Sequence, residues 1–374
     1  MIAKSPIRIM HVVHGMPVGG LENGVVNLIN HLPQDEFVQS ICCLDIRGEM
    51  IERIKVDIDI FELNRKRNDL KAIYNLAKVF KRWNPDIIHC RNWNTWPDTI
   101  LANILTFRRT RTIWSFHGAP EENFLPTRRR ITSKLLSFAT YKLAAVCTDS
   151  ANRYASNAGI NQQRFDVLYN GVDCERFQPV QDKNELRRNL GLPLDTFILV
   201  CPASLTPIKD HQFLLNALAQ AHQSSNILLL LIGEGSQLAQ LTTQVKTLNL
   251  TDIVQFCGRK SNISDYLSAA DAMVLPSRLE GMSNAILEAM ATGLPVIARE
   301  VGGNPELIQH KVTGLLCHDH SESEMGELIT LLMQNTKLRT DFGIKARAVA
   351  LQEFSLSRMV QRYQIYYQNT ANVK

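Results

Sequence analysis

Short apolar runs rich in Val, Ile and Leu alternate with amphipathic helical patterns through most of this 374-residue chain. A strand followed by a helix and another strand is typical of a parallel sheet covered by helices. The alternation runs through the first half of the chain and starts again in the second half. We therefore predict an α/β fold made of two doubly wound domains.

The apolar runs define the strand candidates. In the first half they are Ile7–Val13, Phe37–Leu44, Val56–Leu63, Asp86–Cys90, Thr112–Phe116, Ala144–Thr148 and Phe165–Tyr169. In the second half they are Phe197–Cys201, Ile227–Ile232, Ile253–Phe256, Ala272–Leu275, Pro295–Ala298 and Gly314–Cys317. After Ser321 the pattern is helical. Sheets of this kind bind ligands at the carboxyl ends of their strands.

Turn signals and composition divide the chain into four segments. We expect an N-terminal domain over residues 1–172, a linker over 173–195 and a C-terminal domain over 196–355. The linker begins after the Asn170-Gly171 turn. Residues 356–374 are expected to form a helix that packs back on the N-terminal domain.

Composition narrows the class of protein. No segment approaches the roughly 18 consecutive apolar residues of a membrane-spanning helix, and the N-terminus lacks the pattern of a secretion signal. We therefore expect a cytosolic protein. Residues 1–170 hold 23 Lys and Arg against 16 Asp and Glu. Basic stretches within them, Arg108–Arg111 and Arg128–Arg130 with Lys134, either approach an anionic membrane surface or form solvated helix faces.

The most informative segment for function holds two carboxylates eight positions apart, Glu280 and Glu288. We expect Glu280 to close a strand and Glu288 to lie about two helical turns further on. Gly281, Met282 and Ser283 would open the helix, where free N–H groups and the helix dipole attract a phosphate. An ionised carboxylate accepts hydrogen bonds from two adjacent hydroxyls. The segment therefore indicates a nucleotide-sugar ligand.

Other candidate residues stand at predicted strand ends. Gly19 and Gly20 follow the first strand and permit close approach of an anion, although such a turn is also ordinary architecture. Their spacing is not G-x-G-x-x-G, which disfavours a nicotinamide dinucleotide site. His117 closes another strand and either donates to a substrate oxygen or serves the fold. Lys209 stands at the start of the next predicted helix and either holds a diphosphate or is solvated.

A set of motifs occurs together over almost the whole chain. They are Gly19-Gly20-Leu21-Glu22, His117-Gly118, Asn170-Gly171-Val172-Asp173, Lys209, Glu280-x7-Glu288, Gly302-Gly303-Asn304-Pro305-Glu306 and Thr313-Gly314-Leu315. On these motifs the chain resembles the retaining glycosyltransferases of family 4, which have the GT-B fold. Its overall sequence pattern is similar to that of sugar transferases from bacterial exopolysaccharide clusters.

The resemblance implies two Rossmann-like domains that face a central cleft, with the acceptor bound by the first and the nucleotide-sugar donor by the second. Glu288 would hold the ribose diol. Glu280 and the Gly281–Ser283 amides would hold the transferred sugar and the diphosphate. Lys209 would neutralise the leaving nucleoside diphosphate, and Arg259 would lie near the base.

The resemblance also implies the reaction. His117 with the Gly19-Gly20 loop would meet the sugar and phosphate from the first domain. A sugar would pass to a glycan or lipid-linked acceptor with retention, by front-side displacement in which the leaving phosphate oxygen accepts the acceptor's proton. Neither a protein base nor a metal cofactor would be needed, since electrostatic stabilisation and closure carry catalysis.

Two further motifs have competing interpretations. Asp57 and Asp59 form a D-x-D, which in some sugar transferases holds a metal on the diphosphate. They lie in an alternating run, which favours a solvated strand face. Trp93 and Trp96 either stack on an acceptor sugar or pack in the core.

One departure from the family pattern concerns the diphosphate. The family usually carries Gly-Arg-Leu before the lysine, and this chain has Ala203-Ser204-Leu205. Losing one such donor typically lowers the rate on the order of 10²–10³-fold. We hypothesise that Arg278 or Arg259 reaches the diphosphate in its place.

Two other functions remain open on the sequence. A sugar-nucleotide epimerase would need acid and base groups around the sugar, and the first half offers few beyond His117. A non-catalytic nucleotide-sugar binder is suggested by Ser204. Release of nucleoside diphosphate in the presence of a sugar acceptor separates a transferase from such a binder.

Overall fold

The computed structural model describes residues 5–65, 69–108, 110–118, 125–221, 226–318 and 321–372. The chain divides into two compact units. The first contains residues 1–171 and 356–374, and the second contains residues 172–355.

A seven-stranded sheet lies at the centre of the first unit. Its spatial order is β3-β2-β1-β4-β5-β6-β7, and all of its pairings are parallel. The strands are β1 (Ile7–Val13), β2 (Phe37–Cys43), β3 (Asp59–Glu62), β4 (Ile87–Arg91), β5 (Arg111–Phe116), β6 (Lys142–Ala145) and β7 (Phe165–Val167). The helices of this unit are α1 (Gly20–His31), α2 (Leu70–Trp83), α3 (Trp96–Thr106), α4 (Thr127–Ala139), α5 (Thr148–Ala158) and α14 (Leu356–Asn372).

The second unit is built around a six-stranded parallel sheet with the order β10-β9-β8-β11-β12-β13. Its strands are β8 (Phe197–Pro202), β9 (Ile227–Ile232), β10 (Val254–Gly258), β11 (Ala272–Leu275), β12 (Val296–Arg299) and β13 (Gly314–Cys317). Its helices are α6 (Lys183–Asn189), α7 (His211–Ala221), α8 (Leu238–Thr247), α9 (Ile263–Ala269), α10 (Asn284–Ala291), α11 (Asn304–Leu307), α12 (Glu322–Gln334) and α13 (Thr336–Glu353).

The prediction of two doubly wound parallel sheets is confirmed, and each predicted strand has a counterpart. The largest difference is at β6, predicted over Ala144–Thr148 and observed over Lys142–Ala145. The next largest is at β3, predicted over Val56–Leu63 and observed over Asp59–Glu62. This strand pairs only with β2, and half of its residues are exposed. An edge strand has one partner to fix its hydrogen bonds, so its ends follow that partner rather than the apolar pattern.

The strand order reverses once in each sheet, between β1 and β4 and between β8 and β11. At such a point the loops from the two neighbouring strands diverge to opposite faces, which leaves a crevice at the carboxyl edge. The loops after β8 and β11 therefore enclose the expected ligand position in the second unit.

Two segments complete the units. Residues 173–195, which the sequence suggested as a linker, lie within the second unit. There, buried Arg187 of α6 donates to the Asp271 carboxylate at 2.6 Å and to the Ala269 carbonyl at 2.9 Å. Helix α14 belongs to the first unit, where Met359, Val360 and three tyrosines join the sheet core. Among the described residues, no helix is long and apolar enough to cross a membrane.

Candidate functional site

Lys209 and Glu280 form an ion pair at the strand-order reversal of the second sheet. Lys209 ends a short 3₁₀ turn (Pro207–Lys209) after β8, and Glu280 lies in the loop after β11. The Lys209 ammonium donates to Glu280 Oε1 at 2.5 Å. Glu280 is 8% exposed. A partly exposed cation paired with a buried carboxylate, at the edge where such sheets bind ligands, is the centre of the candidate site.

Two local predictions about this region are wrong. We expected Lys209 to begin a helix, but Asp210 has left-handed backbone angles (φ 49) and α7 begins after it. We also expected Gly281, Met282 and Ser283 to open the next helix. Instead, Ser283 is the N-cap of α10 and accepts from the N–H of Ile286, so the helix begins at Asn284, three residues after Gly281. Glu280 lies beyond the strand rather than closing it.

The loop that carries Glu280 is fixed by the loop after β12. Gly302 has φ +56, and a Cβ on it would overlap the carbonyl group of Glu280, 2.8 Å from its carbon. The N–H of Gly303 donates to the Gly281 carbonyl at 2.9 Å. In the sequence these glycines are recognisable only as part of a motif. Their supporting role follows from a backbone contact that no spacing rule reveals.

Asp210 joins two arginines beside Lys209. Its carboxylate accepts from Arg278 Nε at 2.7 Å and from the fully buried Arg299 at 2.8 Å. The backbone N–H of Arg278 also donates to the Ile208 carbonyl at 2.9 Å. Asp210 therefore holds the Arg278 guanidinium against the turn that ends in Lys209. The sequence analysis did not single out Asp210.

A cavity of about 200 Å³ opens next to this cluster, between the N-terminal ends of α7 and α8. His211 lines it, and both of its ring nitrogens are buried without a partner among the described residues. Burial lowers the pKa of His211 to about 4, with a further contribution from Lys209. This imidazole is therefore neutral near pH 7.

The remaining donor-site candidates lie on neighbouring loops and on α10. Ser204 is exposed after β8, with its hydroxyl 3.5 Å from that of Thr206. Arg259 is exposed directly after β10. Among the described residues, no hydrogen bond or ion pair joins either of them to Lys209 or Glu280. The structure therefore pairs Lys209 with Glu280 directly and places the other candidates around the same sheet edge.

Glu288 lies on α10 and is half-buried. Burial raises its pKa to about 7, and the positive charge of Arg176 opposes that shift. A carboxyl group in this state changes its charge near neutral pH. When ionised, it can accept hydrogen bonds from hydroxyl groups.

The Glu288 pKa leads to a stability prediction. Its folded-state pKa of about 7 exceeds the ordinary 4.5. Ionisation therefore favours the unfolded chain, and stability is lost as pH rises through that interval. Glu288→Gln removes the loss. The difference between the free energies of unfolding of the variant and of wild type, both measured in urea, should grow by about 1–3 kcal/mol in favour of the variant from pH 5 to pH 8. The exposed Glu185→Gln serves as control, and parallel pH curves for all three proteins would contradict the assignment.

In the first unit, the Gly19-Gly20 loop lies at the N-terminus of α1, with Gly19 as N-cap. The Glu22 carboxylate occupies the space where a Cβ of Gly19 would stand. Burial raises the pKa of Glu22. An anionic ligand at this helix terminus would therefore meet a carboxyl group already in place, a feature that the glycine pattern alone did not predict.

His117 follows β5 and is half-buried. Its Nε2 lies 2.8 Å from Ser115 Oγ, and its backbone N–H donates to the side chain of Asn92 at 2.9 Å. Burial lowers the pKa of His117 to about 3, and the charge of Arg91 adds to this effect. The imidazole is therefore neutral at physiological pH, and Ser115 contacts its ring while Asn92 holds its backbone.

The residues of the other motifs lie in the core or on the surface of the first unit. Trp96 is fully buried, stacks on Trp114 with ring centroids 3.9 Å apart and donates to Thr140 at 2.8 Å. Trp93 is partly buried, under the Arg129 guanidinium. Asp57 and Asp59 are both exposed. Across the described residues, no three His, Cys, Asp or Glu side chains are grouped so that they could hold a metal ion.

Comparison with known proteins assigns the family. The model for glycosyltransferase family 4 matches residues 18–176, and the model for glycosyl transferases group 1 matches residues 182–349. EpsD of Bacillus subtilis, named as a glycosyltransferase, is 30% identical over 306 residues, which is 78% of each chain. This chain belongs to glycosyltransferase family 4. The family 4 protein is accordingly a glycosyltransferase.

Other relatives and solved structures agree. N-acetyl-alpha-D-glucosaminyl L-malate synthase of Bacillus anthracis is 28% identical over 80% of this chain and 79% of its own. A galactosyltransferase of Escherichia coli, named for UDP-Gal and a GlcNAc-diphosphoundecaprenol acceptor, is 26% identical over 83% and 84%. A glycosyltransferase from Rickettsia africae has a TM-score of 0.88 at 22% identity, covering 99% of this chain and 100% of that one. HepE of Anabaena, solved with UDP, has a TM-score of 0.86 at 20% identity over 97% and 100%. The fold of this family 4 protein is thus GT-B.

Proposed function

We propose that this enzyme transfers a sugar from a nucleotide-diphosphate sugar to a glycan or lipid-linked acceptor, with retention of anomeric configuration. The observation that carries the proposal is the ion pair between Lys209 and the buried Glu280 carboxylate at the strand-order reversal of the second sheet. Supporting it, the E. coli relative is named for a UDP-sugar and a lipid diphosphate, and HepE was solved with UDP-glucose. Exopolysaccharide or cell-surface polysaccharide synthesis is the pathway class that we infer.

The chemistry assigned to these residues is electrostatic. The Lys209 ammonium, already oriented by Glu280, would neutralise the negative charge that develops on the leaving diphosphate. Glu280 would bind the transferred sugar, and ionised Glu288 would bind the ribose diol. The leaving phosphate oxygen would take the proton from the attacking hydroxyl on the same face. In this scheme no side chain acts as general base and no metal cofactor is required.

Turnover with a panel of donors tests the proposal. Purified protein is incubated with UDP-, GDP- and ADP-sugars, with and without a polyprenyl-diphosphate glycan acceptor, and release of nucleoside diphosphate is measured. Acceptor-dependent release, with a product whose anomeric configuration by NMR matches the donor, is expected. Donor binding without release would identify a non-catalytic binder. Conversion of the donor sugar without acceptor would identify an epimerase.

Arg278 is the residue that we assign to the role usually held by the arginine that Ser204 replaces. Asp210 holds its guanidinium beside the Lys209 turn, whereas Arg259 has no such partner among the described residues. Arg278→Ala should lower kcat/KM by about 10²-fold, as expected for loss of one charged donor to the diphosphate.

A second substitution controls this assignment. Ser204→Arg introduces a guanidinium on the exposed loop after β8 and should recover much of the activity of Arg278→Ala. It should not recover the activity of Lys209→Met. Wild-type kinetics in Arg278→Ala would exclude the assignment.

Helices α3 and α4 of the first unit, to which we assign the acceptor, expose a surface suited to membrane contact. Helix α4 exposes Ile131, Leu135 and Phe138, by 56%, 64% and 74%, on a face shared with basic residues. Neighbouring α3 exposes Leu101, Ile104 and Leu105, and Phe107 follows it at 87% exposure. The basic residues on and next to these helices are Arg108, Arg128, Arg130 and Lys134. Arg109 of the same basic stretch lies outside the described residues. Apolar side chains flanked by cations are typical of helices that lie on anionic bilayers.

Vesicle sedimentation tests this surface. We expect wild type to sediment with vesicles containing anionic phospholipid and much less with zwitterionic ones. Replacing Ile131, Leu135 and Phe138 with serine should reduce sedimentation at least about tenfold, given the apolar area lost. The control replaces Ile344 and Leu351, exposed on α13 of the second unit, with serine. Equal sedimentation of both variants would contradict the assigned surface.

A further inference from the structure

A line of hydrogen bonds runs through the core of the first unit from His117 to the C-terminal helix. His117 Nε2 lies 2.8 Å from Ser115 Oγ, which lies 2.9 Å from His89 Nε2. His89 Nδ1 lies 2.7 Å from the hydroxyl of Tyr367 on α14. Ser115, His89 and Tyr367 are all buried. We call these four side chains the relay.

The direction of the relay follows from its buried end. Burial raises the pKa of the Tyr367 hydroxyl, so the tyrosine keeps its proton at neutral pH. Within the described part of the chain, the only acceptor bonded to this hydroxyl is His89 Nδ1. A buried O–H group without an acceptor is costly, so Tyr367 donates to His89.

The positions of the other protons in the relay follow from this direction. Burial lowers the pKa of His89 well below its ordinary value, and the positive charge of Arg91 adds to this. A neutral imidazole that accepts at Nδ1 carries its proton at Nε2, so His89 donates to Ser115 Oγ. Ser115 in turn has one remaining described partner for its own proton, which is Nε2 of His117.

His117 is consequently an acceptor at Nε2. Because this histidine is also neutral, its proton must lie on Nδ1. Nδ1 makes no hydrogen bond with the described residues and is not among their buried unpartnered atoms. It is therefore open to a ligand.

The Arg91 guanidinium determines the tautomer of another histidine, His11, in the same way. It donates to His11 Nδ1 at 3.0 Å, and His11 Nε2 lies 3.1 Å from the Gln39 side-chain oxygen. Arginine has no acceptor atom, so His11 must accept at Nδ1 and donate from Nε2. The unit thus contains three histidines, His11, His89 and His117, whose tautomers are set by their neighbours.

We propose that Tyr367 fixes His117 as its Nδ1–H tautomer through His89 and Ser115, so that His117 offers a ligand a hydrogen-bond donor. The ligand atom that it selects is an acceptor oxygen of a sugar or phosphate group, and this part of the inference rests on the proposed function. Because Nδ1 already carries a proton, neutral His117 cannot act there as a general base. Tyr367, His89 and Ser115 are positioning residues for His117.

Nitrogen NMR tests the tautomer without any substrate. In protein labelled with ¹⁵N histidine, long-range ¹H–¹⁵N spectra distinguish protonated from bare ring nitrogens, and His117→Asn identifies the His117 signals. We expect a protonated Nδ1 and a bare Nε2. In Tyr367→Phe, the two nitrogen shifts should move toward each other as the second tautomer becomes populated.

Tyr363→Phe is the matched control, because Tyr363 lies one turn earlier on α14, is equally buried and stacks on His89 without a hydrogen bond to it. It should leave the His117 signals unchanged. A protonated Nε2 in wild type would overturn the proposal, as would equal spectra for Tyr367→Phe and Tyr363→Phe. Methyl NMR spectra verify that both variants are folded.

Kinetics separate this inference from the proposed function. With an active donor, Tyr367→Phe should lower kcat/KM by about tenfold, corresponding to one weakened hydrogen bond, while Tyr363→Phe stays within about twofold. Ser115→Ala should resemble Tyr367→Phe. The Nδ1–H tautomer in a protein that turns over no nucleotide sugar would support the relay and refute the proposed function. Unchanged kinetics in Tyr367→Phe would overturn the functional role of the relay.

Discussion

Lys209→Met is expected to lower kcat by on the order of 10²–10³-fold while the fold stays intact. Methionine keeps most of the side-chain length and removes the charge that would neutralise the leaving diphosphate. Ser204 stands where the family pattern has an arginine, which leaves Lys209 and Arg278 as the two cations that we assign to the diphosphate. Steady-state release of nucleoside diphosphate with the active donor measures the effect.

The ion pair itself requires a control, because Lys209→Met leaves the buried Glu280 carboxylate without its partner. An unpaired buried charge destabilises a fold strongly. The double variant Lys209→Met with Glu280→Gln removes both charges. It should unfold at nearly the wild-type denaturant concentration and remain inactive, which shows that the lost activity does not come from unfolding.

Lys183→Met provides a matched comparison in the same unit. Lys183 donates to the Asp271 carboxylate at 2.7 Å, and Asp271 also pairs with Arg187. Removing this ammonium deletes a similar ion pair near the start of β8 and should leave kcat within about twofold of wild type, as for most partly exposed pairs. Full turnover in Lys209→Met would refute the proposed mechanism.

Gly302→Ala is the second substitution with a large expected effect. Gly302 has φ +56, and its Cβ position overlaps the backbone of Glu280. Alanine therefore adds both conformational strain and a clash with rigid backbone. We expect a loss of about 3–5 kcal/mol in the free energy of unfolding. Turnover should also fall, because the clash displaces the loop that carries Glu280.

Gly191→Ala separates the two causes. Gly191 has a similar backbone conformation, φ +66, but nothing lies within 4 Å of its Cβ position. It should lose only the strain energy of a left-handed alanine, about 1–2 kcal/mol, with unchanged turnover. Urea denaturation and donor kinetics on both variants make the comparison. Equal losses would show that backbone contact with Glu280 is unimportant.

Much of the fold was predictable because it depends on local apolar pattern. The β9 run Ile227–Ile232 and the β11 run Ala272–Leu275 have the predicted bounds, since both are buried strands bounded by polar turns. The start of α10 was misplaced by three residues, at Gly281 rather than Asn284. A serine followed by an apolar run is compatible with either position, and only the bond from Ile286 to the Ser283 hydroxyl decides it.

The candidate site was predictable only in its residue types. Glu280, Glu288 and Lys209 stood out because charged side chains rarely interrupt apolar segments at strand ends. Asp210 and Gly302 did not, because their importance lies in contacts with Arg299 and with the Glu280 backbone. These partners are far apart in sequence and meet only when β8, β11 and β12 pair.

The sequence by itself determined the two parallel sheets, the family and the charged residues of the candidate site, because periodicity and motif spacing are local properties. The tertiary structure alone decided that Lys209 pairs with Glu280, that burial raises the pKa of Glu288, and that Tyr367 reaches His89 across 278 positions of chain. Hydrogen bonds and desolvation depend on which atoms folding brings together. In this protein those neighbours come from strands and helices that are distant in sequence.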